Sequence, residues 1–264
     1  MPSEQDRGHF EQAARGYFQF LAKVGLTKHL GSMEATRELL ALTRVDKGKL
    51  VLEVGCGVGA TVGYLVRSAG CRGVGVDLVE EMVDQAQARA RAERVGHRAA
   101  FVAADARHLP FKDGAFDAVL MESLNVFFED KQAAIDEYVR VTRPGGYVGM
   151  TEMTWLAPPS PEVAAYYERV VYAKALQAGG WKDLLAGAGL HGVVGGAHQV
   201  DMVEEARGRL ERYGCRGMVR VLWRALTLFL QDRETRAFLK DVTTSLPQDL
   251  LGDMGYGVYA GQKP

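Results

Sequence analysis

Cysteine is scarce in this 264-residue chain, and the little there is carries no pattern. Cys56, Cys71 and Cys215 are an odd set without a Cys-x-x-Cys pair, which argues against a disulfide framework and against a zinc site. No apolar run approaches the roughly 18 residues of a membrane-spanning helix, and the stretch 1–7 lacks the apolar segment of an export signal. Internal repeats and low-complexity linkers are also missing. Charge of one sign is not in excess: 32 basic residues meet 33 acidic ones, a net charge of −1. A nucleic-acid binder is therefore disfavoured, since no binding motif accompanies a basic surface. These absences make the expectation a cytoplasmic protein with no metal, no stable membrane insertion and no nucleic-acid partner. What remains, 47% hydrophobic and 25% charged residues, is enough to bury a sizeable core.

The near-neutral total hides an asymmetry. Between Arg207 and Lys240 there are nine basic residues and three acidic ones, leaving 23 basic and 30 acidic residues elsewhere. Arg209, Arg212, Arg216, Arg220 and Arg224 recur at helical intervals, with Gly214 and Gly217 placed to break the face. Two readings stay open: a solvated helix paired with acids, or a patch that captures an anionic substrate or an acidic membrane surface.

The centre of the chain alternates between strand and helix patterns. Strands are expected at Leu50–Val54, Gly73–Val76, Ala99–Ala103, Phe116–Met121 and Tyr147–Met153. Helices are expected at Ala60–Ala69, Val79–Val95 and Ala133–Val141. This alternation implies a parallel, doubly wound α/β sheet that binds ligands outside the carboxyl ends of its strands. Residues 1–46 read as helical. After Ala157-Pro-Pro-Ser-Pro161 the pattern turns mostly helical up to about 250, with one strand at His191–Met202, a turn at Tyr213–Gly217 and a closing strand at Gly255–Gly261.

The first strand ends in Glu53 and runs into Gly55-Cys-Gly57-Val-Gly59, directly before a helix. Such a turn lets a ligand lie against bare backbone at the positive end of a helix dipole. With Ala60 it also satisfies the relaxed dinucleotide fingerprint, and Asp77 sits where a ribose-binding carboxylate would, so NAD(P) is a live alternative. Three further features favour a different cofactor: an acid immediately before the glycines, Asp105 opening Ala104–Asp117 after the third strand, and Arg143-Pro-Gly-Gly146 before the fifth.

With these motifs in order, the chain resembles the class I S-adenosylmethionine-dependent methyltransferases, in their small-molecule, type 11-like branch. The resemblance covers about 48–155 and 181–200. It implies a Rossmann-like sheet of seven strands, with a helical cap drawn from the N-terminal helices (1–46) and from 157–250, a binding core at 47–156 and a closing strand at 251–264. It also implies roles. Gly55, Cys56, Gly57 and Gly59 would approach the methionine part of the cofactor, with Glu53 ordering that loop or meeting its ammonium. Asp77 would accept the ribose hydroxyls, Leu78 and Met82 would flank the adenine, and Asp105 would take its amine with Ala106 alongside. Glu122 and Ser123 would face the sulfonium and the incoming nucleophile.

For catalysis the candidates are Glu122, His29 and Tyr17, with Glu152 a further carboxylate in reach of the same strand ends. Tyr17 and His29 read either as parts of a lid over the substrate or as ordinary helix-face residues. Cys56 reads as a small loop residue, because no base accompanies it. The expected partner is a small acceptor, partly apolar or anionic; a non-catalytic S-adenosylmethionine-binding module shares every motif, and a homodimer is compatible with the sequence.

Overall fold

The computed structural model describes residues 19–25, 30–244 and 252–264. Two short N-terminal helices, α1 (Gln19–Val24) and α2 (Ser32–Leu42), precede β1 (Leu50–Val54), α3 (Ala60–Ser68), β2 (Arg72–Asp77), α4 (Glu80–Ala92), β3 (Ala99–Ala103) and β4 (Phe116–Glu122). There follow α5 (Lys131–Val141), β5 (Thr142–Trp155), α6 (Pro161–Tyr166), β6 (Leu176–Gln177), α7 (Ala178–Gly187), β7 (His191–Gln199), α8 (Met202–Gln231), α9 (Arg233–Thr244) and β8 (Met254–Gln262).

Seven strands form one path in the order β3-β2-β1-β4-β5-β8-β7, and the two-residue β6 pairs with β5 beside it. The first five are parallel, while β8 runs antiparallel between β5 and β7. The doubly wound sheet read from the sequence is therefore present, with one short strand added. Its chain order reverses between β1 and β4, which opens a crevice at their carboxyl ends. β1 and β4 are buried on both faces and alternate strictly. Val51, Ala118 and Leu120 enter one apolar cluster with Ala35 and Leu39 of α2, whereas Leu52, Val54, Val119 and Met121 enter the larger one with Ile135 and Tyr138 of α5.

Several boundaries differ from the sequence pattern for physical reasons. β5 extends through Trp155 because β8 pairs with it residue by residue from Tyr147↔Gln262 to Trp155↔Met254. The chain then turns through the prolines, and α6 starts at Pro161 with Ser160 Oγ accepting from Val163 N at 3.3 Å. The expected turn at Tyr213–Gly217 is a kink inside α8, at Gly214 with φ 67° and ψ 166°.

The segment 157–250 divides in two. Val163, Tyr166, Tyr167, Trp181 and Leu185 join the main core, with Trp181 Nε1 donating to Met153 O at 3.2 Å. α8 instead lies on α1 and α2. There Glu205 is buried and accepts the Gly31 amide at 2.6 Å, and Gly208 approaches Ser32 so closely that a Cβ would lie 2.4 Å from its Cβ.

Candidate functional site

The carboxyl ends of β1, β2 and β4 place the glycine loop, Asp77 and Glu122 around one crevice. The loop is held by its own backbone. Gly55 N and Cys56 N both donate to Val76 O, at 2.8 and 2.9 Å, and Gly59 N donates to Cys56 O at 2.9 Å. Gly55, Gly57 and Gly59 all have positive φ, and Gly59 could not carry a side chain. A Cβ there would lie 2.8 Å from Ala86 Cβ and from the Phe101 ring.

Two acids complete the loop. Glu53, buried on β1, accepts from Val62 N at 3.0 Å and so satisfies an otherwise orphaned amide in the first turn of α3. Asp77 accepts from Gly57 N at 2.8 Å through one oxygen and from Val79 N at 3.0 Å through the other. Burial raises the Asp77 pKa, although the amide donors from Val79, Gly57 and Leu78 oppose it. Each carboxylate oxygen has a second lone pair, so Asp77 can still accept a pair of ligand hydroxyls. Leu78 beside it is exposed. Cys56 is buried, and burial followed by the neighbouring Asp77 and Glu53 charges pushes its thiol pKa well up, which leaves it inert.

Asp105 has a partner that the sequence did not reveal. Arg107 clasps it through Nη2 at 2.8 Å, Nε at 3.0 and 3.3 Å and its own backbone N at 2.9 Å. Burial alone would raise the Asp105 pKa, but Arg107 outweighs it and the net shift is downward. The rest of this loop is pinned from α5. Glu137 accepts from Leu109 N at 2.7 Å, and Arg140 donates to Leu109 O at 3.1 Å and Phe111 O at 2.9 Å. Ala106 lies within this pinned segment, half-buried.

Glu122, at the end of β4, has both oxygens engaged. Thr36 Oγ1 of α2 donates at 2.6 Å and Thr61 Oγ1 of α3 at 2.8 Å, so this carboxylate ties the N-terminal helix to the glycine loop. Ser123 follows with φ 56°, unusual for a side-chain-bearing residue, and its buried Oγ has no hydrogen-bond partner. Leu124 reaches back over Gly55, within 3.1 Å of where a Cβ would stand. Behind the loop, Glu152 is fully buried. Its Oε1 accepts from Asn125 N at 2.8 Å, Asn125 Nδ2 at 2.8 Å and Leu124 N at 3.2 Å, while its Oε2 has no partner. Burial pushes its pKa up to about 7.

Over the crevice, Met82 is buried against Val58 of the glycine loop, with Phe20 of α1, Val79 and Tyr213 of α8 packed around them. Arg89 stacks its guanidinium over Tyr213 at 5.4 Å from the ring centroid. Thus the structure brings Glu53, the glycines, Asp77, Leu78, Met82, Glu122 and Ser123 together, and adds Thr36, Thr61, Leu124, Phe20 and Tyr213. Tyr17 and His29 lie outside the described residues.

The cradle suits an S-adenosylmethionine-type ligand: bare glycine backbone, an orphaned buried hydroxyl at Ser123 and spare acceptor capacity on Asp77. Asp105 fits less simply, because Arg107 already fills its acceptor sites.

Residues 52–150 match a family model described as a methyltransferase domain. An uncharacterized protein of Haemophilus influenzae is 28% identical over 224 residues, which cover 83% of this chain and 89% of that protein. Methyltransferase GfsG of Streptomyces halstedii is 33% identical over 118 residues, 45% of this chain and 42% of that protein's length. Among solved structures, the [4+2]-cyclase SpnF superposes with a TM-score of 0.72 at 21% identity, covering 100% of this chain and 97% of that one, a likeness of fold. Over residues 52–150 the chain is therefore similar to methyltransferase domains, in line with the S-adenosylmethionine-dependent class that its motifs resemble.

Proposed function

We propose that the protein transfers the methyl group of S-adenosylmethionine to a small, partly apolar acceptor by direct in-line displacement. The observation that carries this reading is the glycine loop clamped between two carboxylates, buried Glu53 on Val62 N and half-buried Asp77 on Gly57 N and Val79 N. Bound there, S-adenosylmethionine supplies a methyl group already activated by its sulfonium, so the protein's task is positioning and the exclusion of water.

Gly55–Gly59 would receive the methionine part, with Ser123 Oγ a donor beside it. Asp77 would accept the ribose hydroxyls, and Leu78 would lie on the adenine. Ala106 would flank the adenine edge. Asp105 would accept the adenine amine only by exchanging Arg107, and with Arg107 in place it acts by shaping the loop. Met82, packed with Val58, Phe20 and Tyr213, would flank the adenine as part of the cover over the crevice.

Glu122 acts by position. With both oxygens held by threonine hydroxyls it is poorly placed to take a proton, and its role is to couple α2 to the glycine loop. A base is needed only for an acceptor that must lose a proton. Tyr17 and His29 keep that role as candidates, to be tested by substitution. The greasy cover from Leu124, Phe20 and Tyr213 favours an acceptor with an apolar body.

The test is formation of S-adenosylhomocysteine from S-adenosylmethionine with a panel of phenolic, amine, thiol and isoprenoid acceptors. Product that appears only with an acceptor supports the reading. Tight S-adenosylhomocysteine binding without turnover on any acceptor would favour a non-catalytic binding module, and binding of NAD(P)H instead would overturn the cofactor assignment.

A further inference from the structure

The face that α8 turns to solvent is more apolar than a monomer surface helix requires. Beyond the Gly214 kink, Val219, Leu222, Trp223, Leu226, Phe229 and Leu230 are all exposed, with Val219 and Trp223 at 66% and Leu222 and Leu230 at 65%. At about 100° per residue these six positions share an arc of about 120°. Met218, Val221, Ala225 and Leu228 take the adjoining, half-buried arc. The helix is therefore apolar over two adjoining arcs, and among the described residues no packing explains the exposed stripe.

Arginine frames that stripe. Arg216, Arg220 and Arg224 follow one another at four-residue spacing, all exposed, and lie about 20°, 60° and 100° beyond the Trp223 border of the arc. From Gly214 to Gln231 there is no aspartate or glutamate. We infer that Gly214–Gln231 is an in-plane docking helix for an anionic lipid surface. Its apolar arc with a central tryptophan would enter the boundary between headgroups and acyl chains, and the arginine edge would meet lipid phosphates.

Two alternatives fit less well. Self-pairing of this helix in a dimer would set three cations against a partner segment that carries no acid. A small anionic substrate would need converging cations, whereas these three are strung out over about 12 Å of helix. The helix does not cross the membrane, and no helix among the described residues is long and apolar enough to do so. Tyr213, at the start of this segment, packs on the glycine loop, so a docked helix is joined directly to the cover of the proposed cofactor site. The inference stands independently of the methyl-transfer reading, since it rests on this surface alone.

The experiment is co-sedimentation of the full chain with phosphatidylcholine vesicles, with and without phosphatidylglycerol, at low and high salt. Tryptophan emission is followed alongside. Trp155 and Trp181 are buried, so a blue shift reports Trp223. Binding to the phosphatidylglycerol vesicles with a blue shift, weakened by salt, is expected. Replacing the three arginines by glutamine should lower partitioning on the order of 100-fold. The variant Leu222→Ser/Leu226→Ser should lose the blue shift while keeping its thermal unfolding temperature and its S-adenosylhomocysteine affinity. No partitioning at low salt, or partitioning of both variants equal to that of the wild-type protein, overturns the proposal. So does a wild-type dimer in sedimentation velocity that Leu222→Ser/Leu226→Ser dissociates.

Discussion

Replacing Glu152 by glutamine should stabilise the protein at pH 8 and change little near pH 4. Glu152 is fully buried at the end of the sheet, with three N–H groups on Oε1 and nothing on Oε2. Burial is the main cause of its raised pKa, opposed by those donors and by Lys131, and the native value is about 7 against an ordinary 4.5. The titratable groups around it come from two elements: Lys131 and Tyr138 on α5, and Tyr259 on β8, of which the two tyrosines stay neutral because burial raises their pKa values. A carboxyl whose native pKa lies above its unfolded value holds its proton more tightly when folded. Its contribution to stability is therefore greatest below pH 4.5, falls as pH rises from 4.5 to 7, and stays low above 7. A difference of 2.5 units corresponds to about 3 kcal/mol, an upper bound on what ionisation costs the fold. Glutamine keeps an oxygen for the same three donors and cannot ionise. Urea denaturation of wild type and Glu152→Gln, at intervals from pH 4 to 8, should show the variant gaining about 1–3 kcal/mol across the window from 4.5 to 7. A stability difference that is independent of pH, or a variant less stable than wild type at pH 8, would refute the reasoning.

Other consequences follow from the site geometry. Gly59→Ala must place a Cβ against Ala86 and Phe101 at positive φ, so thermal unfolding should show a loss of about 2–4 kcal/mol. Asp77→Ala should weaken S-adenosylhomocysteine binding at least about 100-fold by calorimetry, at a cost in stability of about 1 kcal/mol from the lost acceptor at the start of α4. Tyr213→Ala should leave the sheet intact but raise the apparent dissociation constant of the cofactor, because it strips the cover from Val58 and Met82. Glu122→Gln, which keeps an oxygen for one threonine, should retain more turnover than Glu122→Ala if its work is positioning. Equal and complete loss in both variants, with unchanged cofactor affinity, would point instead to proton transfer.

Much of the sheet was legible in the sequence because β1 and β4 are buried on both faces and carry the short apolar runs Leu50–Leu52 and Ala118–Met121. The glycine loop and its acids were legible because positive φ and a carboxylate at a strand end leave a residue-type signature. The partners of those acids were not. Arg107 on Asp105, Thr36 and Thr61 on Glu122, and Glu205 on the Gly31 amide come from tertiary packing, up to 174 residues apart in the case of Glu205. The only local hint was Arg107 two residues after Asp105. The split of the 157–250 segment was equally hidden. Trp181 and Leu185 belong to the main core and Tyr213 to the cover, although both stretches show the same helical period. The direction of the exposed apolar face of α8 depended on the kink at Gly214, where the helical φ/ψ pattern breaks.

The central claim is that the loop between Glu53 and Asp77 is built for S-adenosylmethionine. Isothermal titration of the wild-type protein with S-adenosylhomocysteine and, separately, with NADH and NADPH tests it most directly. Saturable one-to-one binding of S-adenosylhomocysteine with no heat from either dinucleotide is the predicted result. Binding of a dinucleotide with no response to S-adenosylhomocysteine would contradict the account.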